Sequence, residues 1–159
     1  MSVTKKSSQP DSQNAITLLR ADHQKVTDLF ETFEKSRSTA KKKVIAQEIC
    51  TELRVHAKIE EEIFYPAAKD ALNDKEMVPE ALVEHDGVKK LIAEIENSEE
   101  GEMFDARVKV LSELVKHHVK EEQNELFPAV KETALDLTEL GTQLAARKAE
   151  LFEELKIPA

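Results

Sequence analysis

The chain matches itself without a gap when it is shifted by 62 residues. Under that shift His23 falls on His85, His56 on His118, Glu60 on Glu122 and Pro66 on Pro128. Val26 meets Val88, Leu29 meets Leu91, Lys58 meets Lys120, and Phe64-Tyr65-Pro66-Ala67 meets Leu126-Phe127-Pro128-Ala129. Each half therefore carries the same unit: a histidine, then His-x-x-x-Glu, then an aromatic residue next to proline. The chain has to fold the same way twice.

That unit is helical, because its apolar residues step by three and four. A first helix is predicted from about Asp11 to Arg37, with Ile16, Leu19, Val26, Phe30 and Phe33 on one face. Ser38 or Thr39 is placed to cap a second, whose stripe is Ile45, Ile49, Leu53, Ile63 and Ala67; Pro66 should kink or end it. A third opens near Val78-Pro79, with Ala81, Val88, Ile92 and Ile95 inward. After a turn at Asn97–Gly101 a fourth follows, with Phe104, Val108, Leu111, Val115 and Leu126 inward and Pro128 late. A fifth, from about Asp136 to Leu155, presents Leu137, Leu140, Leu144, Leu151 and Leu155. Three Gly and five Pro among 159 residues are too few for the many turns of a sandwich or barrel. The short connections make neighbouring helices antiparallel. The predicted fold class is all-α, an up-down-up-down four-helix bundle over 14–135. A polar, flexible tail (1–13) precedes it, and an additional C-terminal helix (136–159) packs on it.

Composition narrows the function. A net charge of -9 means that phosphates offer the chain no counterion release, so nucleic acid is not an expected partner. The single cysteine, Cys50, rules out an internal disulfide and reads as a small buried helix residue. No apolar run is long enough for a membrane span, and the first twenty residues lack a signal-peptide core. No membrane partner and a cytoplasmic location are expected.

The stripes have gaps, and ionisable residues fill them. His23 lies between Leu19 and Val26, and His56 and Glu60 between Leu53 and Ile63. His85 lies between Ala81 and Val88, and His118 and Glu122 between Val115 and Leu126. His23 lies about 14 residues before the first hairpin turn and His56 about 17 after it, a mismatch of only about 5 Å at 1.5 Å per residue. The second hairpin repeats this. Within each His-x-x-x-Glu the two side chains share a helix face. Four imidazoles and two carboxylates should therefore converge inside the bundle. One histidine on an apolar seam is usually a satisfied core residue. Six ionisable groups at one level would cost several kcal/mol per unpaired charge (order of magnitude), and a metal cluster offsets that cost.

Imidazole and carboxylate donors together suit iron, zinc, manganese or copper. Two Glu and four His suit two metals, with each carboxylate bridging and two His on each metal. The absence of Cys from this set argues against a structural zinc site. The order His-x-x-x-Glu also differs from the Glu-x-x-His of ferritin-like bundles.

The segments Asp22-His23, His56-Ala-Lys-Ile-Glu60-Glu-Glu-Ile-Phe-Tyr-Pro66, Glu84-His85 and His118-Val-Lys-Glu-Glu122-Gln-Asn-Glu-Leu-Phe-Pro128 resemble the hemerythrin-like, or HHE cation-binding, domain over about Ile16 to Val130. The resemblance implies a non-haem di-iron centre: two iron ions with an oxo or hydroxo bridge. Glu60 and Glu122 would bridge them, and His23, His56, His85 and His118 would be terminal ligands. Oxygen-carrying hemerythrins have a further histidine one turn after the third-helix His; here that position is Lys89. His117 points about 100° away from His118 on a helix and matches Val55 in the repeat, so it reads as partly exposed or as a support to a ligand. Glu61, Glu84 and Tyr65 stand as candidates for an extra ligand. Phe30, Phe33, Phe64 and Phe127 are expected to form a shell limiting water access.

The expected function is binding of a small diatomic or peroxide ligand (oxygen, nitric oxide or peroxide) for sensing, stress protection or iron handling. The alternatives are an enzyme turning over peroxide or nitric oxide at the same centre, and a metal-free helical interaction module docking through its fifth helix.

Overall fold

The computed structural model describes residues 14–156. The tail expected at 1–13 and the helix start expected at Asp11 lie outside the described residues. Helix α1 runs Ala15–Lys35, α2 Thr39–Ile59, α3 Tyr65–Leu72, α4 Met77–Glu96, α5 Glu102–Glu121, α6 Phe127–Lys131 and α7 Leu137–Lys156. No strand occurs among the described residues, and no helix there is long and apolar enough to cross a membrane.

The caps follow from the sequence. Asn14 Oδ1 accepts from the Ile16 N–H at 2.8 Å, and Ser38 Oγ accepts from the Lys41 N–H at 3.2 Å, so Ser38 rather than Thr39 caps α2. The Asp74 carboxylate accepts from the N–H groups of Met77 and Val78 at the start of α4. Gly101, at φ 141°, precedes α5, a backbone conformation that favours glycine.

Pro66 does not end the second helix. Between α2 and α3 the backbone widens into a π turn over Glu60–Phe64, and Tyr65 N–H bonds to the Glu60 carbonyl five residues back. The twin of this turn, Glu122–Leu126, joins α5 to α6, with Phe127 N–H on the Glu122 carbonyl. Proline cannot donate to the residue four back, and its ring crowds that carbonyl. One extra residue in the preceding turn relieves the crowding and lets the helix continue. The first rod then stops at Asn73, whose φ of 53° is left-handed.

The extra residue also shifts the phase of everything after it. The buried positions are Phe64, Tyr65 and Ala68 in the first half and Leu126, Phe127 and Val130 in the second. Ile63 and Ala67, expected in the stripe, are only half-buried.

Helices α1, α2, α4 and α5 form the bundle, and α7 lies against α1, α2 and the first π turn. The apolar interior is split in two. One cluster holds Val26, Phe30, Phe33, Ile49, Leu53, Val88, Ile92, Phe104 and Leu111. The other gathers Ile16, Leu19, Ile59, Phe64, Tyr65, Phe127 and Val130 with Leu140, Leu144 and Leu151 of α7. Cys50 is buried in the first cluster, and burial pushes its thiol up to about 12. Val115, Ile45 and Leu137 are half-buried rather than central. Leu155, expected on the apolar side, is 55% exposed, because the apolar packing of α7 ends at Leu151 and Phe152.

Candidate metal centre

His23, His56, Glu60, His85, His118 and Glu122 are all buried, and together with Asp22 they separate the two apolar clusters. Their donor atoms fall into two groups, in each of which the atoms lie within 4.8 Å of one another: His23, His56, Glu60 and Glu122, and Glu60, His85 and His118. Glu60 divides its oxygens between the groups, with Oε2 3.3 Å from His56 Nε2 and Oε1 3.1 Å from His85 Nε2. Glu122 Oε1 lies 3.1 Å from His23 Nε2, and its Oε2 3.5 Å from His118 Nε2. All four imidazoles turn Nε2 toward the carboxylates.

Each Nδ1 faces outward onto its own partner. Asp22 lies 2.8 Å from His56 Nδ1, Glu61 2.8 Å from His85 Nδ1, Glu84 2.6 Å from His118 Nδ1, and Gln123 2.9 Å from His23 Nδ1. These supports obey the same repeat: Asp22 matches Glu84, and Glu61 matches Gln123. Reading the sequence found the inward residues but assigned no role to Asp22 or Gln123. The signal available was their adjacency to a repeated His or Glu at the same offset. Lys89 bonds to Glu61 at 2.8 Å behind His85 and does not join the inward layer.

Of the three candidates for an extra ligand, only Tyr65 points inward. Its hydroxyl donates to Glu122 Oε2 and lies 3.0 Å from Glu60 Oε1 and 3.2 Å from both His85 Nε2 and His118 Nε2. Glu61 and Glu84 are occupied behind the imidazoles. The repeat mate of Tyr65 is Phe127, which stacks on His23 at a centroid distance of 5.9 Å. The two halves of the centre therefore differ by one phenol. His117 is exposed, 3.2 Å from Glu121 and 3.7 Å from Glu84.

The expected aromatic shell is half right. Phe64 and Phe127 pack beside the centre, whereas Phe30 and Phe33 belong to the distal cluster. On that side a cavity of about 30 Å³ is walled instead by Val26, Leu53, Val88, Val115 and Val119 together with the four histidines. One-turn spacing from His23 and His85 puts Val26 and Val88, not the more distant phenylalanines, over the imidazoles.

Electrostatics bind the layer together. Burial by itself would lower His56, but Glu60 and Asp22 outweigh it and hold the imidazole well above its ordinary value. His118 is raised to about 9 against the same burial by Glu122, Glu60 and Glu84, and His85 is raised by Glu60 and Glu61. Burial would raise Glu60, yet His56 and His85 hold it well below the carboxylate range. Burial and the two carboxylate charges push the Tyr65 phenol well up, so it remains a donor.

The sequence profile of the hemerythrin HHE cation binding domain matches residues 14–130. The chain belongs to the hemerythrin HHE family. A curated relative described as a DNA nickase, from a Nostoc species, is 28% identical over 156 residues, which is 96% of this chain but 44% of that protein. The crystal structure of a hemerythrin HHE cation binding domain-containing protein from Mycobacterium kansasii superposes with a TM-score of 0.76 at 24% identity, covering 89% of this chain and 88% of that one. That superposition shows a shared fold.

The residues of this HHE domain are compatible with metal binding. His23 Nε2, His56 Nε2, Glu60 Oε2 and Glu122 Oε1 are buried and face one another in pairs at 3.1 and 3.3 Å without hydrogen-bond geometry, and all four belong to one donor group. Buried polar atoms left unpaired are costly, and a cation satisfies all four at once. Outward Nδ1 partners are the usual way to fix a ligating imidazole.

Proposed function

We propose that the protein is a non-haem di-iron protein that binds a small ligand: oxygen, nitric oxide or peroxide. His23 and His56 would hold one iron and His85 and His118 the other, with Glu60 and Glu122 shared between them. The observation that carries this reading is the layer of four inward Nε2 atoms around two carboxylates, Glu60 belonging to both donor groups and Glu122 reaching from the first toward His118. Nitrogen and oxygen donors without thiolate suit iron, and membership of a cation-binding family supports it.

A bound iron pair supplies redox-active positions where oxygen, nitric oxide or peroxide can coordinate. The chain's own residues do the rest. Asp22, Glu61 and Glu84 accept from Nδ1–H and hold His56, His85 and His118 in the tautomer with the Nε2 lone pair inward, while the Gln123 amide nitrogen donates to His23 Nδ1 and fixes that ring's orientation. Val26, Leu53, Val88, Val115 and Val119 wall a cavity of about 30 Å³ that suits a very small ligand and disfavours water. The Tyr65 hydroxyl donates to Glu122 and lies against the Nε2 atoms of His85 and His118.

That hydroxyl also favours a second reading, turnover of peroxide or nitric oxide, since it places a protic group against Glu60 and Glu122 of the same layer. A metal-free interaction module fits poorly, because it leaves buried polar atoms unpaired. Nicking of DNA is not carried over from the Nostoc relative, since this chain spans less than half of it and carries a net charge of -9.

The test is metal analysis of protein loaded anaerobically with iron. About two irons per chain are expected, on the donor count of a two-metal site, and less than about half an iron would sink the reading. Stopped-flow mixing of the reduced protein with each ligand then separates a stable adduct, which supports binding, from repeated turnover, which supports the enzyme.

A further inference from the structure

The internal repeat accounts for both halves of the centre, but α7 lies outside the repeat and packs chiefly on the first, against α1, α2 and the first π turn. Two consecutive residues make charged contacts on its inner side. Arg147 bonds to Glu62 in the first π turn at 2.7 Å. Lys148 Nζ donates to Asp22 Oδ1 at 2.5 Å, and the other oxygen of Asp22 lies 2.8 Å from His56 Nδ1. Lysine 148, Asp22 and His56 thus form a continuous line from the C-terminal helix to a proposed ligand. Asp22 is buried, at 5% exposure, so its carboxylate has little water to balance it and depends on these two partners. The equivalent in the other half, Glu84, behaves differently. It is half-exposed, and among the described residues no lysine or arginine pairs with it.

We propose that α7 is a working part of the metal centre. Lys148 is a positioning residue that, through Asp22, sets the ring orientation and tautomer of His56, so that docking of α7 and cation binding at the His23–His56 group are coupled. The proposal rests on the ligand assignment above. Lys148 holds one carboxylate oxygen, which leaves the other turned toward Nδ1–H and keeps the His56 Nε2 lone pair inward. Coupling is reciprocal: a cation on His56 tightens the seat of α7 as much as α7 tightens the cation. Leu140, Leu144 and Leu151 seat the helix, so the charged line adjusts a helix already held by apolar packing.

The test begins without metal. In ¹⁵N-histidine-labelled metal-free protein, at a pH raised until His56 has lost its second proton, NMR should show His56 with Nδ1 protonated and Nε2 bare, the signal being assigned with His56→Gln. Lys148→Met should mix the two tautomers at His56 and leave His118 unchanged, while Lys148→Arg should restore the parent signal. Arg147→Met removes the neighbouring charged contact and should leave His56 as it was. Circular dichroism confirms that each variant folds. An unchanged His56 in Lys148→Met, or the same change in Arg147→Met, overturns the positioning role. Titration with ferrous iron should then show one of two binding steps weakened about tenfold or more in Lys148→Met, the usual effect of removing a ligand's support, with metal-dependent slowing of hydrogen exchange in α7 reduced. Equal weakening of both steps overturns the coupling. Because the tautomer is read without metal, a chain that takes up no iron refutes the di-iron function separately from the Lys148 role.

Discussion

The buried histidines should make the metal-free protein pH-sensitive between pH 6.5 and about 9. His118 is raised from its ordinary 6.5 to about 9 by Glu122, Glu60 and Glu84, against the opposing effect of burial. A group whose folded value is raised contributes stability that is fully present below its unfolded value, and that stability is lost as pH rises through the folded value. The metal-free bundle should therefore be most stable near pH 6.5 in this window and weaken up to about pH 9. The separation corresponds to about 3 kcal/mol from His118 alone, and His56 and His85 act in the same direction. For a chain of this length that is roughly 6 to 12 °C in melting temperature. Cys50 at about 12 stays out of this window.

Bound iron should add stability that grows with pH. Ligation needs neutral imidazoles, so protons compete with the cation more strongly as pH falls. The gap in melting temperature between loaded and metal-free protein should widen from pH 6.5 to pH 9. Calorimetric melting of both forms at half-unit steps measures it, with His118→Gln as the control that flattens the metal-free slope and exposed His117→Gln as the control that leaves it. A metal-free melting temperature that stays constant from pH 6.5 to 9, or an unaltered slope in His118→Gln, would refute the picture of carboxylate-held protons.

Glu60→Ala and Glu122→Ala should each lower uptake of both irons, whereas His117→Ala should load like the parent because that side chain is 64% exposed; plasma emission analysis after loading reads the difference. Tyr65→Phe should fit sterically, since the repeat already places Phe127 at the equivalent position, but should cost the metal-free protein about 1.5 to 3 kcal/mol through the lost donor to two carboxylates. Urea titration checks this, and a loss under about 0.5 kcal/mol would show that the hydroxyl contributes little there. Leu144→Ala, at a fully buried position of α7, should cost about 2 to 5 kcal/mol in the same assay.

The helical class, the internal symmetry and the six inward residues are legible from the amino-acid order. Spacing on a single helix determines which side chains share a face, and a 62-residue offset that repeats two His-x-x-x-Glu segments does not arise from packing alone. The interpretation as iron needed the family resemblance as well, because the donor types alone admit other metals. What lies beyond one helix is not written in its periodicity. The proline was legible, but its resolution into a π turn rather than a helix end depends on the whole rod being kept in the bundle, and that turn moved burial from Ile63 and Ala67 to Phe64, Tyr65 and Ala68. The supports behind the imidazoles come from other helices: Asp22 reaches His56 across 34 residues and Gln123 reaches His23 across 100. Lys148 meets Asp22 across 126 residues and has no mate in the repeat to mark it. Periodicity records an angle about a helix's own axis. Which helix stands opposite, and which long polar side chain reaches the outer nitrogen of a histidine, is decided only when the helices pack.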